Sequence, residues 1–97
     1  MTHLSSLSRS IEGRVAIITG AASGMGRATA YVFADAGARL ALVDRNDDVA
    51  KVADEVNAAG GEARAYTVDL ADGAAIPPLV ERIRGDLGPI DILVNNA

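Results

Sequence analysis

The sequence contains neither cysteine nor tryptophan. Without thiols there is no disulfide framework, no thiolate metal site and no cysteine nucleophile, a pattern that fits a cytoplasmic protein. Aromatic residues make up only 3% of the chain, so its core must be aliphatic. Lysine occurs once, at Lys51, and the arginines are scattered. Nucleic-acid binding needs basic residues clustered against phosphates, and a formal net charge of −4 points away from such a partner. No apolar run approaches the ~20 residues that cross a membrane. Histidine occurs once, at His3, and reads as an ordinary tail residue; no metal site is assigned. Residues 1–10 have no continuous apolar stretch of the kind a secretion signal carries, and their serines suggest a flexible N-terminal arm.

What remains is core material. Hydrophobic residues are 49% of the 97, mostly Ala, Val, Leu and Ile, which suits buried parallel strands covered by Ala-rich helices. The run Arg14 to Thr19 ends in glycine and predicts a strand. A helix is expected from near Gly24 to about Ala36, with an apolar stripe through positions 28, 32 and 36 and a stop at Gly37. Arg39 to Asp44 predicts the second strand. Asn46 to Ala59 predicts the second helix, capped by Asn46 or Asp47 and stopped by Gly60-Gly61. Ala63 to Val68 is the third strand, running into Asp69-Leu70. Pro77 and Pro78 fit a helix's first turn only, which starts the third helix near Pro77 and ends it near Gly88, with a looser turn upstream. Ile90 to Asn95 is the fourth strand. The order β-α-β-α-β-α-β implies an α/β fold, an open parallel sheet with neighbours 3-2-1-4.

The first strand feeds a loop, Thr19-Gly20-Ala21-Ala22-Ser23-Gly24-Met25-Gly26, and then a helix. A dinucleotide pyrophosphate carries two negative charges and needs close, directional donors. Helix N-terminal amides supply them, and the helix dipole adds favourable potential. Gly20, Gly24 and Gly26 stand where a Cβ would block the turn, the phosphate or helix-strand packing. Ser23 and Thr19 add hydroxyls that can bond phosphate or pin the loop. The spacing is not G-x-G-x-x-G, so the surrounding strand and helix and the acid that follows carry the assignment.

That acid is Asp44, at the end of the second strand. There a carboxylate accepts from the adenosine ribose hydroxyls and repels a 2′-phosphate, so NAD is expected ahead of NADP. Arg45 pulls the other way, since a guanidinium attracts phosphate. The alternative for Asp44 is a solvated strand-end or helix-capping carboxylate.

Together these residues resemble the short-chain dehydrogenase/reductase family, in its T-G-x-x-x-G-x-G branch. The resemblance spans about residues 12 to 97. It includes Asp69-Leu70 after the third strand and the ending Asp91-Ile92-Leu93-Val94-Asn95-Asn96-Ala97, which looks like the family's N-N-A-G motif one residue short. It implies a Rossmann-like, doubly wound fold that is incomplete here, with residues 11–97 as the NAD-binding half-domain. It further implies that Asp69 and Leu70 line the adenine pocket, the alternative for Asp69 being a turn or capping residue. Asn95 and Asn96 would tie the fourth strand to the glycine loop, with Asn96 near the cofactor ribose. Two amides ending a strand also cross-link loops for purely structural reasons. Met25 would approach the pyrophosphate through its backbone, while its side chain is expected as core filler.

The implied activity is hydride transfer between NAD(H) and a small-molecule alcohol or carbonyl substrate, in a homo-oligomer. The family's catalytic Asn, Ser and Tyr-x-x-x-Lys follow the N-N-A-G motif, beyond this sequence. Tyr31 is followed four residues on by Asp35, and Tyr66 by Leu70, so no catalytic residue is assigned. An apolar Ile92-Leu93-Val94 edge and an uncovered second sheet face would be liabilities on their own. The expectation is therefore a truncated piece of a longer enzyme. Two alternatives are a non-catalytic nucleotide-binding or regulatory module, and a methyltransferase-type fold, which the Gly20-to-Gly24 gap and the Asn-Asn ending oppose.

Overall fold

The structure is a computed structural model, and it describes residues 11–96. The arm expected at residues 1–10, with His3, lies outside the described residues. Four strands alternate with three helices: β1 (Val15–Thr19), α1 (Gly24–Asp35), β2 (Arg39–Asp44), α2 (Val49–Ala58), β3 (Glu62–Thr67), α3 (Ile76–Leu87) and β4 (Ile92–Val94). All pairings are parallel, and the order is β3-β2-β1-β4, as the sequence pattern implies. A short 3₁₀ turn, Gly73–Ala75, occupies the looser stretch before α3.

The central strands are apolar on both faces because helices cover both. α1 and α2 lie over the face carrying Ala16, Ile18, Leu40 and Leu42, packing through Ala30, Val49, Val52 and Val56. α3 covers the other face, where Leu79, Ile83 and Leu87 meet Val15, Ile17, Ala41, Val43 and Tyr66. The second face is thus not bare, contrary to expectation: α3 is long enough to bury it over β1, β2 and β3. Leu93 on β4 stays open, at 66% exposure. Ile18, Leu40, Leu42 and Ile83 are fully buried, and each such side chain stabilises the fold by about 2 kcal/mol.

Three local expectations are corrected. The buried side of α1 is Gly26 and Ala30, with Phe33 and Ala34 partly buried, whereas Val32 is 65% exposed and Ala28 is exposed too. The cause is contact distance. A Cβ on Gly26 would lie 2.0 Å from the Gly20 carbonyl oxygen, so the helix approaches the loop through its smallest residues.

α2 starts at Val49 after Asp48, because Asn46 closes a turn of its own, its side-chain oxygen accepting from Asp48 N at 2.9 Å. β4 is shorter than the apolar run. At its start Asp91 pairs with Val15 twice, its N donating to Val15 O at 2.9 Å and its carboxylate, in place of a carbonyl, accepting from Val15 N at 3.0 Å, and at its end Asn95 turns to bond Thr19.

Candidate functional site

The strand order reverses at β1, whose neighbours β2 and β4 are reached through connections on opposite faces of the sheet. Such a switch point leaves a crevice beyond the strands' C-terminal ends. Here it is a groove of about 620 Å³, bounded by Gly20, Val43, Asp44, Val68, Asp69 and Asn95 among others.

Of the glycine loop, Gly20 lines this groove, while Ser23, Gly24, Met25 and Gly26 lie outside its lining. Gly20 and Gly24 take φ of 62° and 59°, a region that an L side chain enters only at a cost. Ser23 is the N-cap of α1 with an extended backbone, yet its side chain makes no capping bond. The first intrahelical bond runs from Arg27 N to Ser23 O at 3.3 Å. The amides ahead of it in the first turn have no intrahelical acceptor. An N-cap serine that leaves those amides to others fits an anionic ligand better than a self-contained helix end. Ser23 therefore does not pin the loop, one of the two roles open to its hydroxyl.

Asp44 sits across from the loop, half-buried at the end of β2. One carboxylate oxygen accepts from Ala22 N at 3.0 Å and the other from Asn46 N at 3.1 Å. Beside it, Ala21 N donates to Val43 O at 3.2 Å, and Val68 N donates to Asp44 O at 2.9 Å. The carboxylate thus fastens the loop as well as facing the groove, a duty the sequence did not reveal.

Asp69 and Leu70 line the same groove. The Asp69 carboxylate accepts from Ala71 N at 2.9 Å and its carbonyl from Asp72 N at 3.1 Å, so the turn role and the groove position coincide. Arg45 is the single basic side chain among the groove's described residues.

The two asparagines divide differently than expected. Thr19, 5% exposed, donates its hydroxyl to Asn95 Oδ1 at 2.9 Å and accepts from Asn96 N at 3.0 Å. Both residues tie β4 to the end of β1 through that one oxygen. Asn95 bounds the groove, while Asn96 does not and is exposed. Met25 is also corrected: it is 78% exposed, on the first turn of α1, rather than core filler. Val43, Val68 and Ile76 supply apolar groove wall that no motif announced. The signal for Val68 and Ile76 was available only as apolar residues flanking Asp69-Leu70.

Neither tyrosine reaches this groove. The Tyr31 hydroxyl meets Arg27 on the outer face of α1 at 3.3 Å. Tyr66 is buried under α3 and donates to Asp86 Oδ2 at 2.7 Å, with Arg82 over its ring. Burial first, and that hydrogen bond second, push its phenol up to about 12.

Comparison with known proteins agrees with this architecture. The chain is 47% identical over 90 residues to a 2,3-dihydro-2,3-dihydroxybenzoate dehydrogenase of Bacillus subtilis (strain 168), covering 92% of this chain and 34% of that protein. It superposes on a hydroxysteroid dehydrogenase from Escherichia coli with a TM-score of 0.86 and 41% identity, over 90% of this chain and 37% of that one. A proposed D-mannonate oxidoreductase from Haemophilus influenza, solved with NAD bound, gives a TM-score of 0.82 at 33% identity, over 90% of this chain and 32% of that one. The chain thus spans about a third of the length of these relatives. The short chain dehydrogenase family model matches residues 14–97, and the chain belongs to that family.

Proposed function

We propose that residues 11–97 are the dinucleotide-binding half-domain of a nicotinamide-dependent oxidoreductase acting on a small alcohol or carbonyl compound. The observation that carries this reading is a groove at the strands' C-terminal ends lined by Gly20 and the Asp44 carboxylate, with the uncapped first turn of α1 following in the same glycine loop. Amides from Ser23, Gly24, Met25 and Gly26 would hold the pyrophosphate, with Gly20 and Gly24 leaving room for it. Asp44 would accept from the adenosine ribose. Asp69 and Leu70 would hold the adenine, with Val68 as apolar floor, and Asn95 would close the inner end, with Asn96 held beside it by Thr19. When bound, the nicotinamide supplies the hydride acceptor or donor.

Two carboxylates and one guanidinium on the groove wall make a 2′-phosphate unwelcome. That supports NAD over NADP, with Arg45 as the residue that leaves NADP some affinity. The lack of cysteine supports a cytoplasmic setting, and the family resemblance a homo-oligomeric one.

Calorimetric titration of the complete protein with NAD, NADP and S-adenosylmethionine tests the reading. NAD should bind most tightly, NADP more weakly and S-adenosylmethionine not at all; S-adenosylmethionine binding in place of NAD would overturn it. NAD binding without NADH formation on any of a broad panel of alcohols would favour a nucleotide-sensing module.

A further inference from the structure

We infer that Asp44 is a positioning residue for the phosphate-binding loop, so that ribose recognition and pyrophosphate recognition share one carboxylate. This rests on the dinucleotide reading above and deepens it. A carboxylate has about four lone-pair positions, two on each oxygen. Oδ2 accepts from Ala22 N at 3.0 Å and Oδ1 from Asn46 N at 3.1 Å, which leaves one position on each oxygen. Those two match the two vicinal hydroxyls of a ribose. The side chain is then fully subscribed, half to the protein and half to the ligand.

The Ala22 bond matters because of where it falls. Ala21 N is already held by Val43 O at 3.2 Å, and Ala22 is the next residue of a loop that starts at Gly20 with φ 62°. Two consecutive amides fastened to the end of β2 set the path by which the chain reaches Ser23 and the open first turn of α1. Without the second fastening, the donors that meet the pyrophosphate lose their fixed spacing. An asparagine oxygen has only two lone pairs, so it can serve the loop amide or a ribose hydroxyl but not the whole set. Replacing Asp44 to admit a 2′-phosphate therefore weakens the grip on the pyrophosphate that both cofactors share.

The test uses the complete protein as wild type, Asp44→Ala and Asp44→Asn. Amide hydrogen exchange is followed in the absence of ligand. Inorganic pyrophosphate and adenosine are measured separately as competitors of NADH fluorescence. Asp44→Ala should speed exchange across residues 20–26 while β3 and α2 keep their protection, and should weaken both competitors, each roughly tenfold. Asp44→Asn should recover most of the loop protection and pyrophosphate inhibition but stay weakened for adenosine. That split is one a general loss of stability cannot produce.

If Asp44→Ala weakens adenosine alone, with loop exchange and pyrophosphate inhibition unchanged, the inference falls and the ribose role stands. If exchange rises over the whole chain, the residue is only a fold determinant and the inference also falls. Wild-type protein that does not bind NADH overturns the functional reading and the inference with it.

Discussion

The two ends of the sheet use polar residues in opposite ways. At the N-terminal ends of the strands, polar side chains are consumed inside the protein. Arg39 forks onto Glu62 at 2.9 and 3.1 Å and donates to Leu87 O, at the end of α3, at 2.6 Å. Asp91 takes the Val15 amide, and Asn57 brackets Ala63 with bonds of 2.9 and 2.8 Å.

At the C-terminal ends the bonds serve to hold things open. Asp44 fastens a loop that runs into an uncapped helix start, Asp69 closes a turn beside a groove, and the Ser23 side chain makes no capping bond. The helix dipoles explain the asymmetry. Helix C-termini, with exposed carbonyls, attract Arg39; helix N-termini, with exposed amides, attract an anion that the protein does not itself supply. One end is built for closure, the other for a ligand.

Breaking the comparison starts with Gly26, where the two purposes meet. Gly26→Ala places a Cβ 2.0 Å from a backbone oxygen, so α1 must leave the loop. A loss of about 2–3 kcal/mol in stability is expected, along with loss of measurable NAD binding, read by denaturant unfolding and titration. Wild-type values for both would show that the loop and helix are not in this contact.

Asp44→Ala comes next. NAD affinity should fall roughly tenfold or more, NADP affinity by less, and the preference between them should narrow. Equal affinities to wild type for both cofactors would remove Asp44 from the site.

Arg39→Met sharpens the contrast from the closed end. It should lower the thermal midpoint while leaving NAD affinity within experimental error, since the residue sits at the far end of β2 from the groove. Glu62 feels the same pairing: the hydrogen bond from Arg39 holds its carboxyl below the ordinary range despite some opposing desolvation. A depressed carboxyl stabilises the fold above its unfolded value and loses that contribution as pH falls through the folded one. The stability gap between wild type and Arg39→Met should therefore close in acid. A gap unchanged by acid would mean that the pair contributes nothing.

The smallest effect is at Tyr66, under α3. A phenol raised to about 12 favours the protonated form in the fold. Its contribution is whole below the unfolded value near 10 and fades as pH rises towards 12. Tyr66→Phe should therefore flatten the alkaline loss of stability measured by denaturant midpoints, with cofactor affinity unaffected. The same alkaline slope in the variant would assign that loss to another group.

The sequence alone determined the order and type of the elements. Apolar runs of strand length, Gly37 and Gly60-Gly61 as stops, and Pro77-Pro78 as a start are local signals, and β2 came out residue for residue. The glycine spacing with Asp44 after it placed the groove, because the loop, the helix end and the strand end are joined by short stretches of chain. Tertiary structure decided what depends on distances between segments. Gly26 and Ala30 form the inner side of α1, although they are its least hydrophobic candidates, because the loop lies within van der Waals reach. Asp44 turned out to hold Ala22, a bond across 22 positions, and Asn95 rather than Asn96 lines the groove although Thr19 bonds both. Periodicity reports which residues share a side of an element. Only packing reports how near the next element comes.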